Sequence, residues 1–233
     1  MGSLLTAPPA DLPELEARIT TCRRCPRLVE WRERVAREKR AAFADDTYWG
    51  RPVPGFGDPA ARVYVLGLAP AAHGGNRTGR VFTGDRSGDF LIAAMHRTGF
   101  ASQPTSRALD DGLELRGAWI GAAVRCAPPA NCPTPQERAN CRPWSELEAA
   151  LLPELRVILC LGHLAWDAAL TLRGAPVPRP RPRFGHGAVF EDGAGLPLLG
   201  TFHPSQQNTF TGRLTPAMLD DVLLRARAIG GLT

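Results

Sequence analysis

Lysine is almost absent: of 28 basic residues only Lys39 is one, so the formal excess of 28 − 23 = 5 positive charges rests on arginine. Arginine is the residue of bidentate phosphate recognition, which points to an anionic partner. A GC-rich coding sequence, which also favours Ala, Gly and Pro, accounts for the same bias, and charge alone does not choose. No apolar run approaches the length of a membrane span. The N-terminus lacks the basic, apolar, small-residue order of a signal peptide, so a cytosolic location is expected. The Gly-Lys-Ser/Thr of a phosphate-binding loop and the full dinucleotide fingerprint are missing, which removes the commonest nucleotide cradles. Neither a repeat nor a low-complexity tail is present. The stretch PVPRPRPRF, residues 176–184, reads as an extended basic loop whose arginines are satisfied by solvent alone.

A chain of 233 residues with 44% hydrophobic content buries a real core, and one domain spanning 1–233 is expected, with no structural weight on residues 1–3. DLPELEARITTC predicts a short helix with Asp11 as N-cap, and RLVEWRERVAREKRAAF an amphipathic one. YWGRPVPGFGDP breaks regularity and reads as a rigid loop packed on the domain. Short apolar runs at ARVYVLG, AWIGAAV, RVILCLG and LPLLGTF alternate with helical patterns at SGDFLIAAMHRTGF, HLAWDAALTL and TPAMLDDVLLRARAI. This predicts an α/β three-layer sandwich with a central, mostly parallel four-stranded sheet flanked by helices. GAVF, between His186 and Gly195, reads as a further short strand.

In such sheets ligands lie at the carboxyl ends of the strands. Those ends deliver GLAPAAHGGNRTGRVFTGD at residues 67–85, the loop of residues 126–141, Gly162 with His163, and HPSQQN from His203. The first segment, with five glycines behind an apolar run, is compatible with a phosphate cradle, a ligand lid or a plain long loop.

Six cysteines in a reducing compartment ask for a role other than disulfides. Cys160 lies mid-strand and reads as a small hydrophobe. Cys22 and Cys25 form a C-x-x-C pair, and Cys126 and Cys141 bracket fourteen residues that include Cys132. Two thiolates from a turn and two from a distant loop suit zinc or a 4Fe-4S cluster. Spacing does not choose between Cys126 and Cys132 as the third ligand.

Taken together, CRRCPRL at Cys22, GLAPAAHGGNRTGRVFTGD at Gly67, AAVRCAPPANCPTPQERANC ending at Cys141, and HPSQQNTFTGRLT at His203 resemble the iron–sulfur, thermophile-type branch of the uracil-DNA glycosylase superfamily, most closely its family 5. The resemblance implies a parallel sheet between helices and a 4Fe-4S cluster on Cys22, Cys25, Cys126 and Cys141. It implies base excision repair: hydrolysis of the N-glycosidic bond of uracil, with hypoxanthine and xanthine as further substrates, in double- or single-stranded DNA. It implies a monomer associated with the nucleoid; no residue specifies contact with a replication clamp. An iron–sulfur protein that binds damaged DNA without turning it over is the alternative.

Residue by residue, the first motif supplies the base pocket, from Gly67, Leu68, Ala69, Ala71 and His73, with Phe82 stacking on the extruded base. Phe82 also reads as a core aromatic, and His73 as a residue that merely fixes its loop. Related branches carry a carboxylate or amide after the first strand and an asparagine after the second; here stand GLAPAAHGG and Ala122–Ala123. Both losses point to a pocket that reads its base through main chain and shape. The catalytic question then falls on His203 as donor to the leaving base, Asp85 for the cationic sugar and water, and Asn131 as a substitute for the missing asparagine. His203 in its own loop and Asp85 as a plain N-cap are the competing readings. DNA contacts are expected from Arg77, Arg80 and Ser205, and from the insertion loop with Gln206, Gln207, Asn208 and Arg213.

Overall fold

The structure is a computed structural model that describes residues 7–232; the extreme ends of the predicted domain, residues 1–3 among them, lie outside the described residues. Strands β1 (Phe56–Gly57), β2 (Val63–Gly67), β3 (Ala118–Ala122), β4 (Val157–Leu161), β5 (Val189–Phe190) and β6 (Leu198–Thr201) form one sheet in the order β1-β3-β2-β4-β6-β5. The central four are the four predicted strands, mutually parallel. The edges β1 and β5 pair antiparallel with β3 and β6, so the sheet has six strands rather than four. Two-residue strands carry no periodicity; β1, inside YWGRPVPGFGDP, is made by its pairing with Trp119 and Ile120 and leaves no local signal. GAVF does become β5.

Alternation along β2 divides the core. Val63 and Val65 face one layer with α4 (Arg86–Arg97) and α8 (Pro216–Gly230), while Tyr64 and Leu66 face the other with α6 (His163–Leu172). All five residues of β2, β3 and β4 are buried, as strands covered on both faces require. A third apolar cluster joins α1 (Leu12–Thr20) and α2 (Pro26–Glu38) to Val124 and Trp144.

Three helices are missing from the sequence expectation: the short α3 (Gly75–Thr78) and α7 (Gln206–Phe210), and one long helix. Residues 135–150 form α5 (Pro135–Ala150), so Cys141 stands on a helix rather than in a loop. The cue was present: Thr134 accepts from the Glu137 amide at 3.2 Å and the Glu137 carboxylate accepts from the Thr134 amide at 2.8 Å, a capping box with proline at the first helical position. Pro143 inside the helix obscured it. No helix among the described residues is long and apolar enough to cross a membrane.

Candidate base pocket and cysteine site

The carboxyl end of β2 continues into a loop held against β3, with Ala123 and Val124 amides donating to the carbonyls of Gly67 and Leu68 at 3.0 and 2.9 Å. Pro70 has no N–H, and the Ala69 and Ala71 amides find no acceptor among the described residues, which leaves main-chain donors free at the strand end. Phe82 sits above. Its backbone is left-handed, φ 51°, a conformation that costs a residue with a side chain about 1–2 kcal/mol. Strain of this kind persists only where surrounding structure enforces it, and it concentrates at ligand sites. Gly67 shows what is gained: a Cβ there would lie 2.8 Å from the Phe82 ring, so the ring rests directly on the strand end.

Across from Phe82, the His203 ring lies with its centroid 6.0 Å away and its plane tilted by 37°. His203 follows β6 and is backed by Gly162, φ 91°, whose missing side chain leaves space for the histidine Cβ. Its carbonyl accepts from Asn208 Nδ2 at 2.9 Å, which folds the HPSQQN segment back on itself. Burial lowers the His203 pKa to about 4, so the imidazole is neutral at physiological pH and donates as an N–H, not as a cation.

The other loop residues divide. Asp85 is the N-cap of α4: Oδ1 accepts from the Gly88 amide at 2.9 Å, and Oδ2 lies so near Gly74 that a Cβ there would be 2.0 Å away. Burial raises its pKa, and the Gly88 and Ser87 amides oppose that rise. His73 turns to Tyr48, with Nδ1 3.0 Å from the hydroxyl, so it braces the loop instead of facing the slot. Asn131 stands exposed in the turn Pro129–Asn131 with φ 56°, and no hydrogen bond among the described residues ties its side chain to Phe82 or His203.

Arg77 and Arg80 correct the sequence expectation most clearly. Arg77 pairs with Asp46 at 2.6 Å and donates to the carbonyls of His73 and Gly84 at 2.8 Å each. Arg80 is only 5% exposed and reaches Asp111 at 2.8 Å, Ser106 at 2.9 Å and Thr83 at 3.0 Å. Burial pushes the Asp111 carboxyl up, but Arg80 and the amides of Arg107, Leu113 and Ala108 overcome it and hold the pKa at about 2. Both guanidiniums are internal staples of the loop, because the carboxylates that bind them come from distant segments. Arg80→Gln is therefore expected to cost about 3 kcal/mol of stability, read as a lowered urea midpoint, with the salt dependence of DNA binding unchanged.

At the far side of the β6 loop lies an exposed group. Ser205 starts α7 (Gln206–Phe210), Gln206, Gln207 and Arg213 are exposed, and Phe210 is 68% exposed with the Arg86 guanidinium 5.4 Å from its ring centroid. Phe210 and Arg86 were not singled out from sequence; a large aromatic among QQN-T-TG polar residues was the available signal.

The cysteines resolve into one cavity. Cys22 after α1, Cys25 at the start of α2, Cys126 after β3 and Cys141 on α5 line it together with Leu28, Val124 and Trp144. Cys132 is exposed elsewhere on the loop and Cys160 is buried in β4, so Cys126 and not Cys132 joins the cavity. Each of the four sulfurs has one N–H donor: Arg24 to Cys22 at 3.4 Å, Asn140 to Cys25 at 3.7 Å, Arg32 to Cys126 at 2.9 Å, and the Arg125 amide to Cys141 at 3.2 Å. No group of three or more His, Cys, Asp or Glu among the described residues is placed to hold a single metal ion. Arg27 locks α2 to α5 by a two-pronged pair with Glu137 at 2.8 and 2.7 Å.

A glycine-rich loop, a left-handed aromatic and a neutral histidine thus gather at the carboxyl ends of a parallel sheet. The chain belongs to the uracil-DNA glycosylase superfamily, whose family model matches residues 54–227. Within it the chain stands with the type-5 branch. The relative from Mycobacterium leprae named "Type-5 uracil-DNA glycosylase" is 55% identical over 230 residues, covering 98% of this chain and 100% of its own. Relatives of the same name from Thermus thermophilus and Pyrobaculum aerophilum are 52% and 48% identical, each covering 92% of this chain and 96% and 91% of their own.

Proposed function

We propose that the protein excises uracil from DNA by hydrolysing the N-glycosidic bond, and that the same pocket accepts other deaminated bases such as hypoxanthine and xanthine. The observation that carries the reading is the pairing, at the strand ends, of left-handed Phe82 resting on Gly67 with the ring of His203, 6.0 Å away. The pocket's free donors are main-chain amides at Ala69 and Ala71 rather than an amide side chain, which suits recognition by shape and carbonyl position over one base edge.

In the reaction the C1′–N bond breaks with its electron pair passing to the base. His203 donates its N–H to the carbonyl where that negative charge gathers, and a neutral donor avoids giving a proton away. The cationic sugar is stabilised by DNA phosphates and by Asp85, the carboxylate the loop itself carries; water adds at C1′, and the proton it loses neutralises the departed base anion. Ser205, Gln206, Gln207, Asn208 and Arg213 hold the DNA, and Phe210 fills the gap left by the extruded nucleotide.

Cys22, Cys25, Cys126 and Cys141 are the residues that would hold a 4Fe-4S cluster: they line one cavity, and each sulfur accepts from an N–H donor, which supports thiolate ligation. Through such a cluster the four cysteines would tie the end of α1, the start of α2 and α5 to the end of β3, and four protein ligands would leave no position open to a substrate.

The test is incubation with oligonucleotides containing uracil, hypoxanthine, xanthine or normal bases, followed by alkali. Strand breaks at uracil are expected, and none on any lesion refutes the reading. Iron and sulfide in equal amounts with visible absorbance support the cluster, while stoichiometric zinc overturns it.

A further inference from the structure

PVPRPRPRF, residues 176–184, has no part in the reaction described above. Its backbone is nevertheless pinned: the Pro182 carbonyl accepts from Trp166 Nε1 at 3.1 Å, and the Phe184 ring packs on Trp166, Phe202 and His163 at centroid distances of 6.1, 6.3 and 6.5 Å. Phe202 is the neighbour of His203, so this strap ends at the rim of the base slot. Arg179, Arg181 and Arg183 are exposed, and no hydrogen bond or ion pair engages their side chains among the described residues. Arg181 also lines a cleft between α5 and α6 that is floored by Leu66 and Ala123, the residues beside Gly67 and Ala122. The opposite wall carries Arg138, likewise unengaged, and Arg142, which pairs with Glu146 at 3.2 Å on its own helix; Asp167 is the one acidic residue lining the cleft.

Solvated arginines need no fixed backbone. A proline-stiffened, aromatic-anchored strap has already met the ordering cost that binding otherwise imposes, and its guanidiniums match phosphate geometry. We propose that Arg138, Arg179, Arg181 and Arg183 hold the phosphate backbone of the DNA strand flanking the flipped nucleotide. The inference rests on the glycosylase reading and adds a second track to the contacts of the β6 loop.

The test measures binding of the full chain to a duplex bearing a tetrahydrofuran abasic analogue, as a function of salt. For R138Q/R179Q/R181Q/R183Q the slope of log K against log salt should fall by about 2–3.5, near 0.9 per lost contact. The single-turnover rate of uracil release at saturating protein should stay unchanged. A slope within about 0.5 of the parent's refutes the strap. So does an equal loss in R116Q/R156Q, whose exposed arginines precede β3 and β4 at the opposite end of the sheet. If the fourfold variant does not fold, R138Q and R181Q/R183Q must each lose a proportionate share. A parent chain that releases no uracil refutes the glycosylase reading instead, while the slope still decides the strap.

Discussion

His203→Ala should slow single-turnover release of uracil by about 10²–10³-fold, the usual cost of removing one donor from the site of developing negative charge. His203→Gln, which keeps an N–H, should recover part of the rate. The loss should fall on the maximal rate and leave binding of an abasic duplex nearly unchanged, because the donor acts on charge that grows only as the bond breaks. The pH profile is the sharper measurement. A free histidine titrates near 6.5, but burial lowers the His203 pKa to about 4. The rate should therefore run level from pH 8 through pH 6.5 and fall only as pH approaches 4; an inflection near 6.5 that disappears in His203→Ala contradicts the assignment. Stability follows the same group. The unfolded chain takes up this proton near pH 6.5 and the folded chain only near 4, so the neutral ring's contribution is complete above 6.5 and is lost as pH falls through that window.

Glu148→Ala should cost about 3–5 kcal/mol of folding stability, more than any surface change, because it strands a buried guanidinium. Arg125 is 1% exposed and binds both oxygens of Glu148, at 3.0 and 2.8 Å, with Ser145 Oγ at 3.2 Å. The Tyr64 hydroxyl and the Gly55 amide also donate to the carboxylate. Pairing with Glu148 outweighs burial and keeps the Arg125 guanidinium firmly charged. At about 2–4 °C per kcal/mol for a chain of this size, the melting temperature should drop by roughly 6–20 °C. Arg125→Met added to Glu148→Ala should restore much of it, since exchanging a whole buried pair for apolar groups is often neutral. Without that recovery, the loss belongs to Tyr64 or Gly55 and not to the ion pair. The Arg125 amide donates to Cys141, so the single variant should also loosen the cysteine site, read as faster modification of its thiols by a thiol reagent.

Local pattern carried much of the architecture. Four apolar runs closed by turn residues became the four parallel strands, and Asp11 and Asp85 cap the helices that their positions announce. The ring of Phe82, in the motif that begins at Gly67, lies beside that of the histidine after the last strand, and the C-x-x-C pair lines one cavity with Cys126 and Cys141. These features are legible because alternation, caps and strand-end loops are set by residues a few positions apart.

What remained needed contacts between residues far apart in the chain. A sequence shows that Arg80 is charged; only the fold brings Asp111 and Ser106 to it and turns an expected phosphate ligand into an internal staple. Cys126 and Cys132 are equivalent by spacing, and only the fold puts Cys126 in one cavity with Cys22, Cys25 and Cys141 and leaves Cys132 exposed. The charge state of His203 is decided by what buries it, and the standing of Arg179, Arg181 and Arg183 by a pinned backbone on which no ion pair engages them among the described residues. The sequence by itself determined the strands, the caps and the chemical groups at the strand ends. Tertiary structure decided which of those groups are paired, buried or left free, because pairing and desolvation depend on neighbours brought together by packing.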